Sequence, residues 1–269
     1  LNASDTIQAA NCSFADGNDL TLGERVITLT DLAVMEEVCR KTIYPTWHGA
    51  ATSRQNSNVM TPELQNFIVA QVAAKTAEHL ETLIWQGSGT FGSGFISNDG
   101  TIDEDGLDNS AVGGCVEQDL SDAIAAAGII DDLGLTYAKA AAQCPAILSK
   151  PDIQFYVSPQ TYAFYLTALA TVNSDQGYGN LSTNQGFEGV TYLGVPVRRC
   201  PGMADDMIVL TYGDNLKVGT NLGTDLTDVQ FIPVYQYDGS DNVRVVMRMA
   251  CGVQCVTPGD VVVATQLWS

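Results

Sequence analysis

Residues 61–87 read TPELQNFIVAQVAAKTAEHLETLIWQG. Thr61 can cap a helix N-terminus with its hydroxyl, Pro62 suits the first helical position, and Glu63 lies at the positive end of the helix dipole. A glycine, here Gly87, is the usual residue just past a helix C-terminus. The apolar residues between these ends recur at helical spacing and are Leu64, Phe67, Ile68, Val72, Leu80, Leu83 and Ile84. The stretch therefore predicts one long helix with a packed side, spanning about 39 Å at about 1.5 Å per residue.

The chain before this helix carries weaker signals. Residues 1–20 are polar, show no sustained period and include an Asp-Gly-Asn-Asp turn sequence, so they predict an extended arm. Residues 24–30 alternate as in a strand. Asp31 is placed to cap a short helix that runs to Cys39. Residues 44–60 show no period and predict a loop.

The chain after the helix mixes short helices with strands. Residues 87–94 are rich in glycine and residues 99–108 are acidic, which predicts a surface excursion. The further predicted helices are 119–142, with a break near 128–134, and a helix from Pro159 to about Ala170. The predicted strands are 153–157, 190–197, 207–211, 229–235, 243–256 and 261–265. The pattern predicts an α+β fold.

Composition limits the function classes. The 269 residues carry 31 acidic and 12 basic side chains, for a net charge of −19, which argues against a surface that grips phosphate. Seven widely spaced cysteines do not resemble a disulfide framework and predict reduced, mostly buried thiols. No run of about 18 apolar residues occurs, and residues 1–5 lack the features of a signal peptide. We therefore expect synthesis in the cytosol and no membrane span.

Two glycine-containing motifs are incomplete. Residues 87–92 match the pattern G-x-G-x-x-G, but they follow a helix, whereas the dinucleotide fingerprint follows a strand. Asp103, Asp105 and Gly106 match part of a calcium loop, but the closing carboxylate would fall at Val112. A flexible loop and a solvated acidic loop are the expected structures, with weak calcium capture left open.

The remaining candidates for chemistry are isolated. His48 and His79 do not belong to a zinc-type cluster. Cys251 and Cys255 point to one face of a predicted strand, where small apolar packing is the expected role. The sequence therefore predicts no catalytic residues, no cofactor-binding residues and no metal ligands.

Four short motifs, taken in order, resemble one protein family. They are ETLIWQGSGT at 81–90, FYVSPQTY at 155–162, FEGVTYLGVPV at 187–197 and DNLKVG at 214–219. Together they resemble the major capsid protein of tailed double-stranded DNA phages. RVITL at 25–29, EVCRK at 37–41 and Trp47 are similar to a subset found in phages of Bacteroidetes hosts.

The resemblance implies the Hong Kong 97-like fold, with an N-terminal arm, an extended loop, a peripheral domain built on a spine helix, and an axial domain. The implied bounds are 1–20 for the arm, 21–60 for the extended loop, 61–114 and 212–269 for the peripheral domain with its spine helix at 61–86, and 115–211 for the axial domain. The final strands are expected to complete the peripheral sheet.

The implied function is structural and not enzymatic. Such subunits assemble as homo-pentamers and homo-hexamers into an icosahedral shell that encloses double-stranded DNA. The implied location is the virion capsid, assembled in the host cytoplasm, and the implied partners are portal, scaffold and decoration proteins with non-specific contact to packaged DNA. Some family members cross-link subunits through a lysine. The formal candidates here are Lys41, Lys75, Lys139, Lys150 and Lys217, and none is assigned.

Two alternative functions stay open at this point. An encapsulin, a cellular nanocompartment that encloses enzyme cargo, has a related fold. A soluble α+β enzyme would place the acidic residues 99–108 near its site, and it would form a small oligomer with a concave pocket lined by perturbed ionisable groups.

Overall fold

The computed structural model describes residues 25–39, 62–88, 91, 94–96, 116–120, 123–175, 190–221, 229–234, 237, 239–240 and 242–266. The helices are α1 (Pro62–Gln86), α2 (Ile129–Gln143) and α3 (Pro159–Asp175). The strands are β1 (Thr30–Cys39), β2 (Val116–Leu120), β3 (Ile153–Val157), β4 (Thr191–Tyr192), β5 (Val195–Arg199), β6 (Met207–Tyr212), β7 (Leu216–Thr220), β8 (Val229–Pro233), β9 (Asn242–Cys255) and β10 (Val262–Gln266). The α+β class is confirmed.

The long helix α1 is where the sequence predicts it. Gly87 ends it with φ 71°, and the Gly87 amide donates to Leu83 O at 2.8 Å. Thr61, the predicted N-cap, lies outside the described residues. Of the helix side chains from residue 65 onward, only Ile68 and Trp85 are buried. The placement of Phe67 on the packed side is wrong, because its side chain is 46% exposed.

The larger sheet has six strands in the order β2-β10-β6-β3-β5-β4. One face packs on α2 and α3, through side chains such as Phe155, Ile208 and Leu210. The other face presents Met207 and Val209 to the C-terminal end of α1 and to the second sheet. Since side chains alternate along a strand, burial on both faces explains the continuous apolar run of β6.

The smaller sheet has four antiparallel strands, and the long strand β9 pairs with the other three. The whole of β1 pairs with residues 242–251 on one side of β9. On the other side, β8 pairs with residues 243–247 and β7 pairs with residues 251–255. The N-terminal half of α1 covers the start of β9, where Ile68 packs with Val243 and Val245.

Two sequence-based helix predictions are wrong, one over its whole length and one at its N-terminal end. The helix expected to begin at Asp31 is strand β1, because these residues pair one for one with β9, from Thr30 opposite Cys251 to Cys39 opposite Asn242. The helix expected from residue 119 begins at Ile129 instead. Residues 119 and 120 belong to β2, which runs parallel to β10.

Two strand predictions also change. Residues 25–29 have no regular structure and the strand begins at Thr30. The strand expected at 190–197 is a hairpin of β4 and β5, which turns at Leu193 and Gly194 with φ of 47° and 84°. The last strand, β10, joins the six-stranded sheet between β2 and β6 and does not join β7, β8 and β9. The domain bounds at 61–114, 115–211 and 212–269 stay predictions.

Candidate functional site

The residue groups considered as chemical sites do not come together in the described part of the chain. Gly87 serves as the residue that ends α1, and the exposed His79 lies at the rim of a surface groove. His48 and residues 99–108 lie outside the described residues. Among the described residues, no three His, Cys, Asp or Glu side chains are close enough to hold a metal ion.

Of the described cysteines, Cys144, Cys251 and Cys255 are buried, and Cys39 and Cys200 are half-buried. Burial and, to a smaller extent, the nearby Glu81 raise the pKa of Cys200 to about 12 against the opposing effect of Arg198. Burial also raises the pKa of Cys255 to about 11. Thiols with such pKa values stay protonated at neutral pH and are poor nucleophiles. Cys251 and Cys255 are 1% and 0% exposed in the core between the sheets, so their predicted packing role is confirmed.

A groove of about 570 Å³ runs between strand β1 and helix α1. Its larger apolar lining residues are Leu32, Val34, Val38, Val72, Leu80, Leu83 and Met249. Most of these side chains are only half-buried in the single chain. Asp31, Glu36, Lys75 and His79 form its polar rim. Apolar side chains on such an open groove gain stability when another chain segment covers them.

Residues 25–29, called the strap here, cross the four-stranded sheet on the face away from the core. They lie over Gly219 of β7 and Gly252 of β9, which are directly opposite each other in the strand register. A Cβ atom on Gly219 would lie 2.9 Å from Ile27 Cγ2, and a Cβ atom on Gly252 would overlap Thr28 O. The two glycines therefore provide the space in which the strap backbone lies.

Hydrogen bonds hold the start of the strap. Arg25 Nη1 donates to Cys255 O at 3.1 Å and to Gln254 Oε1 at 3.3 Å. Gln254 Nε2 in turn donates to Val26 O at 3.3 Å. The strap thus fixes the direction in which the chain enters β1. Its apolar side chains Val26 and Leu29 are 65% and 45% exposed.

Exposed apolar side chains are concentrated on the strap and the four-stranded sheet. The described residues include ten exposed large apolar side chains. Five of them belong to this region and are Val26, Leu29, Met35, Val218 and Ile232. Met35 is 69% exposed and lies opposite Val246 in the register. Met35 and Ile232 lie opposite Val246 and Arg244, on the face of the sheet that is crossed by the strap, whereas the groove is on the other face. The strap and this outer face form the surface that we call the sheet surface, and it is the best candidate for contact with another protein chain.

Charged groups around the sheet surface are solvated. Arg244 Nε donates to Glu37 Oε2 at 2.8 Å across β9 and β1. Because both side chains are largely exposed, this ion pair contributes about 0–1 kcal/mol. Contact between the sheet surface and another chain would therefore be stabilised mainly by the apolar side chains.

Four of the five lysines considered for cross-linking lie in the described residues. Lys75 pairs with Glu78 at 2.8 Å on α1. Lys217 pairs with Asp214 at 3.0 Å, and the Lys150 ammonium lies 5.3 Å from the ring centroid of Tyr212. Lys139 lies on α2, and Lys41 falls outside the described residues. These contacts assign no cross-linking role to any lysine.

The described helices include none that is long and apolar enough to cross a membrane.

No protein-family model and no curated protein sequence matches the chain. The fold, however, matches solved structures over nearly its whole length. A structure of Gordonia phage Cozz aligns with a TM-score of 0.57 and 15% identity, over 100% of this chain and 80% of that chain. The capsid of an empty GTA particle aligns with a TM-score of 0.54 and 14% identity, over 95% of this chain and 81% of that chain.

A procapsid of satellite phage P4 gives a TM-score of 0.50 at 10% identity, over 100% of this chain and 86% of that chain. The chain is therefore similar to phage capsid subunits in its architecture, and it has the Hong Kong 97-like fold. The expected fold is confirmed.

Proposed function

We propose that this chain is a major capsid protein that assembles as pentamers and hexamers into an icosahedral shell around double-stranded DNA. The observation that carries the proposal is the agreement of its whole fold with phage capsid structures. Since a fold alone hosts many functions, the sheet surface supplies the second support. On this proposal the chain has a structural role and not an enzymatic one.

The sheet surface suits a subunit that is completed by its neighbours. Met35 and Val26 are exposed on this surface. On the other face of the sheet an open apolar groove adjoins α1, which buries few of its described side chains in the single chain. A closed shell gives each subunit several interfaces, so each interface can be weak while the assembly is stable. Non-covalent contacts between subunits are then sufficient to hold the shell together.

The acidic balance fits a container for DNA. With a net charge of −19, the chain as a whole repels phosphate. Packaged DNA would then make only non-specific contacts with the wall. We also place portal, scaffold and decoration proteins among its partners, and we place assembly in the host cytoplasm with the virion capsid as the final location.

The proposed domains follow the two sheets. The peripheral domain, at 61–114 and 212–269, would contain α1 as spine helix and the strands β7, β8 and β9. The axial domain, at 115–211, would contain α2, α3 and β2 to β6, with β10 returning to its sheet. Residues 21–60 would form the extended loop, which includes β1, and residues 1–20 the arm.

Sedimentation of the purified chain tests this function. The wild-type chain is expected to form closed particles on a sucrose gradient, visible by negative-stain electron microscopy. Met35→Glu is expected to abolish them, because it places a charge on the sheet surface. Leu135→Glu is the matched control, since Leu135 is also exposed, at 46%, but lies on α2 away from that surface.

The two variants separate assembly from folding. Both must keep the circular dichroism spectrum of the wild-type chain. A wild-type chain that stays a monomer or dimer across salt conditions would overturn the proposal. Closed particles that exclude DNA and take up protein cargo would instead favour an encapsulin-type compartment.

A further inference from the structure

The two sheets exchange strands at one place. β6 of the six-stranded sheet continues through the short turn Gly213–Asn215 into β7 of the four-stranded sheet. β9 of the four-stranded sheet continues through residues 256–261 into β10 of the six-stranded sheet. Because β6 pairs with β10 and β7 pairs with β9, these two crossings lie side by side.

Asn215 joins the two crossings. Its side chain is 0% exposed. Asn215 Nδ2 donates to Thr257 O at 2.9 Å, and Asn215 Oδ1 accepts from the Thr257 amide at 2.7 Å. The Asn215 carbonyl accepts from the Val256 amide at 2.9 Å. The regular backbone hydrogen bonds between neighbouring strands are interrupted at the two crossings. Asn215 supplies hydrogen bonds to the backbone of Val256 and Thr257 in their place.

The same amide group also reaches the six-stranded sheet. Asn215 Nδ2 donates to Thr211 Oγ1 at 3.1 Å. The Thr211 hydroxyl donates to Asp260 O at 2.9 Å. Tyr212 OH donates to Asp260 Oδ2 at 3.2 Å. The contacts of Asn215 thus extend to both sides of the junction, from the end of β6 to the start of β10.

The chemistry of this position selects asparagine. The site needs two N–H donors for the carbonyl of Thr257 and the hydroxyl of Thr211, and an acceptor for the Thr257 amide. Aspartate would present oxygen to the Thr257 carbonyl and bury a charge. Alanine would leave the Thr257 amide and carbonyl without these partners. A fully used buried amide at a crossing of two sheets holds both crossings in one geometry.

We propose that Asn215 is a positioning residue for shell assembly. It fixes the angle between the two sheets and thereby the curvature at which neighbouring subunits meet. This inference rests on the proposed shell function, since it assigns a role within that assembly. Hydrophobic packing also joins the two sheets, since Met207 and Val209 pack in one core with Cys251 and Val253, and the hydrogen bonds of Asn215 act beside that core, where the strands cross.

Two variants test the inference. Asn215→Asp removes the donor contacts, and Thr211→Val removes one hydroxyl while nearly keeping the side-chain volume. Asn221→Asp is the matched control, because it adds the same charge at an exposed position just beyond β7. Thr211→Val keeps the test open in case Asn215→Asp fails to fold.

Particle geometry is the main readout. Both junction variants are expected to give folded subunits whose particles are broadened in diameter or fail to close, whereas Asn221→Asp gives wild-type particles. A further variant, Asn215→Ala, removes the acceptor of the Thr257 amide, so hydrogen exchange of that amide should rise more than tenfold, with no change at Phe155. Junction variants with wild-type particle diameters and only a lower melting temperature would overturn the inference, since a merely stabilising residue predicts that result.

The inference and the proposed function fail in different ways. If the wild-type chain never assembles, the proposed function fails, and residual dipolar couplings of the free subunit then decide the role of Asn215. A changed angle between the two sheets in Asn215→Asp supports the positioning role. An unchanged angle overturns it.

Discussion

Replacing Gly252 by alanine should release the strap while leaving the rest of the subunit folded. The described glycines with positive φ are Gly87, Gly194 and Gly239, so Gly252 is required for space and not for backbone freedom. A Cβ atom there would overlap the carbonyl oxygen of Thr28. The neighbouring backbone is part of the long strand β9, so the strap is the element that moves.

The magnitude follows from what the strap loses. Arg25 makes two hydrogen bonds to β9, and Gln254 makes one to the strap. At about 0.5–1 kcal/mol each for such exposed and half-buried bonds, their loss costs about 2 kcal/mol. Contact of Ile27 with Gly219 adds on the order of 1 kcal/mol. Opening of the strap should therefore become easier by about 2–3 kcal/mol, which is at least about 30-fold in the opening equilibrium.

Trypsin cleavage after Arg25 measures this opening. The free subunit is treated with trypsin, and mass spectrometry follows release of the peptide 1–25. When opening is fast relative to cleavage, the cleavage rate follows the population of the open form. Gly252→Ala should raise the rate about 30-fold, with an unchanged circular dichroism spectrum.

Gly128→Ala is the control for the glycine substitution itself. Its Cβ atom would have Asp132 Oδ2 at 3.7 Å as its nearest neighbour, an ordinary contact. This variant should be cleaved at the wild-type rate. Equal cleavage rates for Gly252→Ala and the wild-type chain would refute the role assigned to the paired glycines.

Three further results are expected. Burial raises the pKa of Cys255 from 9.0 to about 11, so the unfolded chain releases this proton first as the pH rises. The unfolding free energy, measured by urea titration, should be constant below pH 9 and should fall between pH 9 and pH 11 by up to about 1.4 kcal/mol per pH unit. The fall per pH unit should be smaller in Cys255→Ala. Phe155→Ala should lower the unfolding free energy by about 3–5 kcal/mol, because its ring is 0% exposed and packs edge-on against Tyr192, and an unchanged urea midpoint would contradict that packing. Light scattering should show assembly improving as salt rises from about 0.01 M to 0.15 M, because the Debye length falls from about 30 to 8 Å and screens the charge of −19, whereas salt-independent assembly would show that repulsion does not limit it.

Local signals explain the parts of the fold that the sequence predicts well. Helix α1 carries its own start and stop signals, from Pro62 to Gly87, and needs no distant partner to be recognised. Strands β3, β6 and β9 are rich in β-branched residues and were placed within a few residues of their bounds. The Hong Kong 97-like fold followed from the order of short motifs such as FYVSPQTY at 155–162.

Distant pairing explains the parts that the sequence misses. Val34 and Val38 are four residues apart, which suits a helix, and only β9, about two hundred residues later in the chain, makes them a strand. β2 likewise depends on β10 at the end of the chain. Asn215 has the local pattern of an ordinary turn residue, and its contacts with Thr257 exist only after both sheets have formed. The groove and the paired glycines are products of the same long-range register.

Cryo-electron microscopy of the gradient-purified wild-type particles tests the central claim most directly. The shell account predicts closed icosahedral particles built of pentamers and hexamers, with Met35 and the strap buried between subunits. A small discrete oligomer, or particles in which the sheet surface faces solvent throughout, would contradict it.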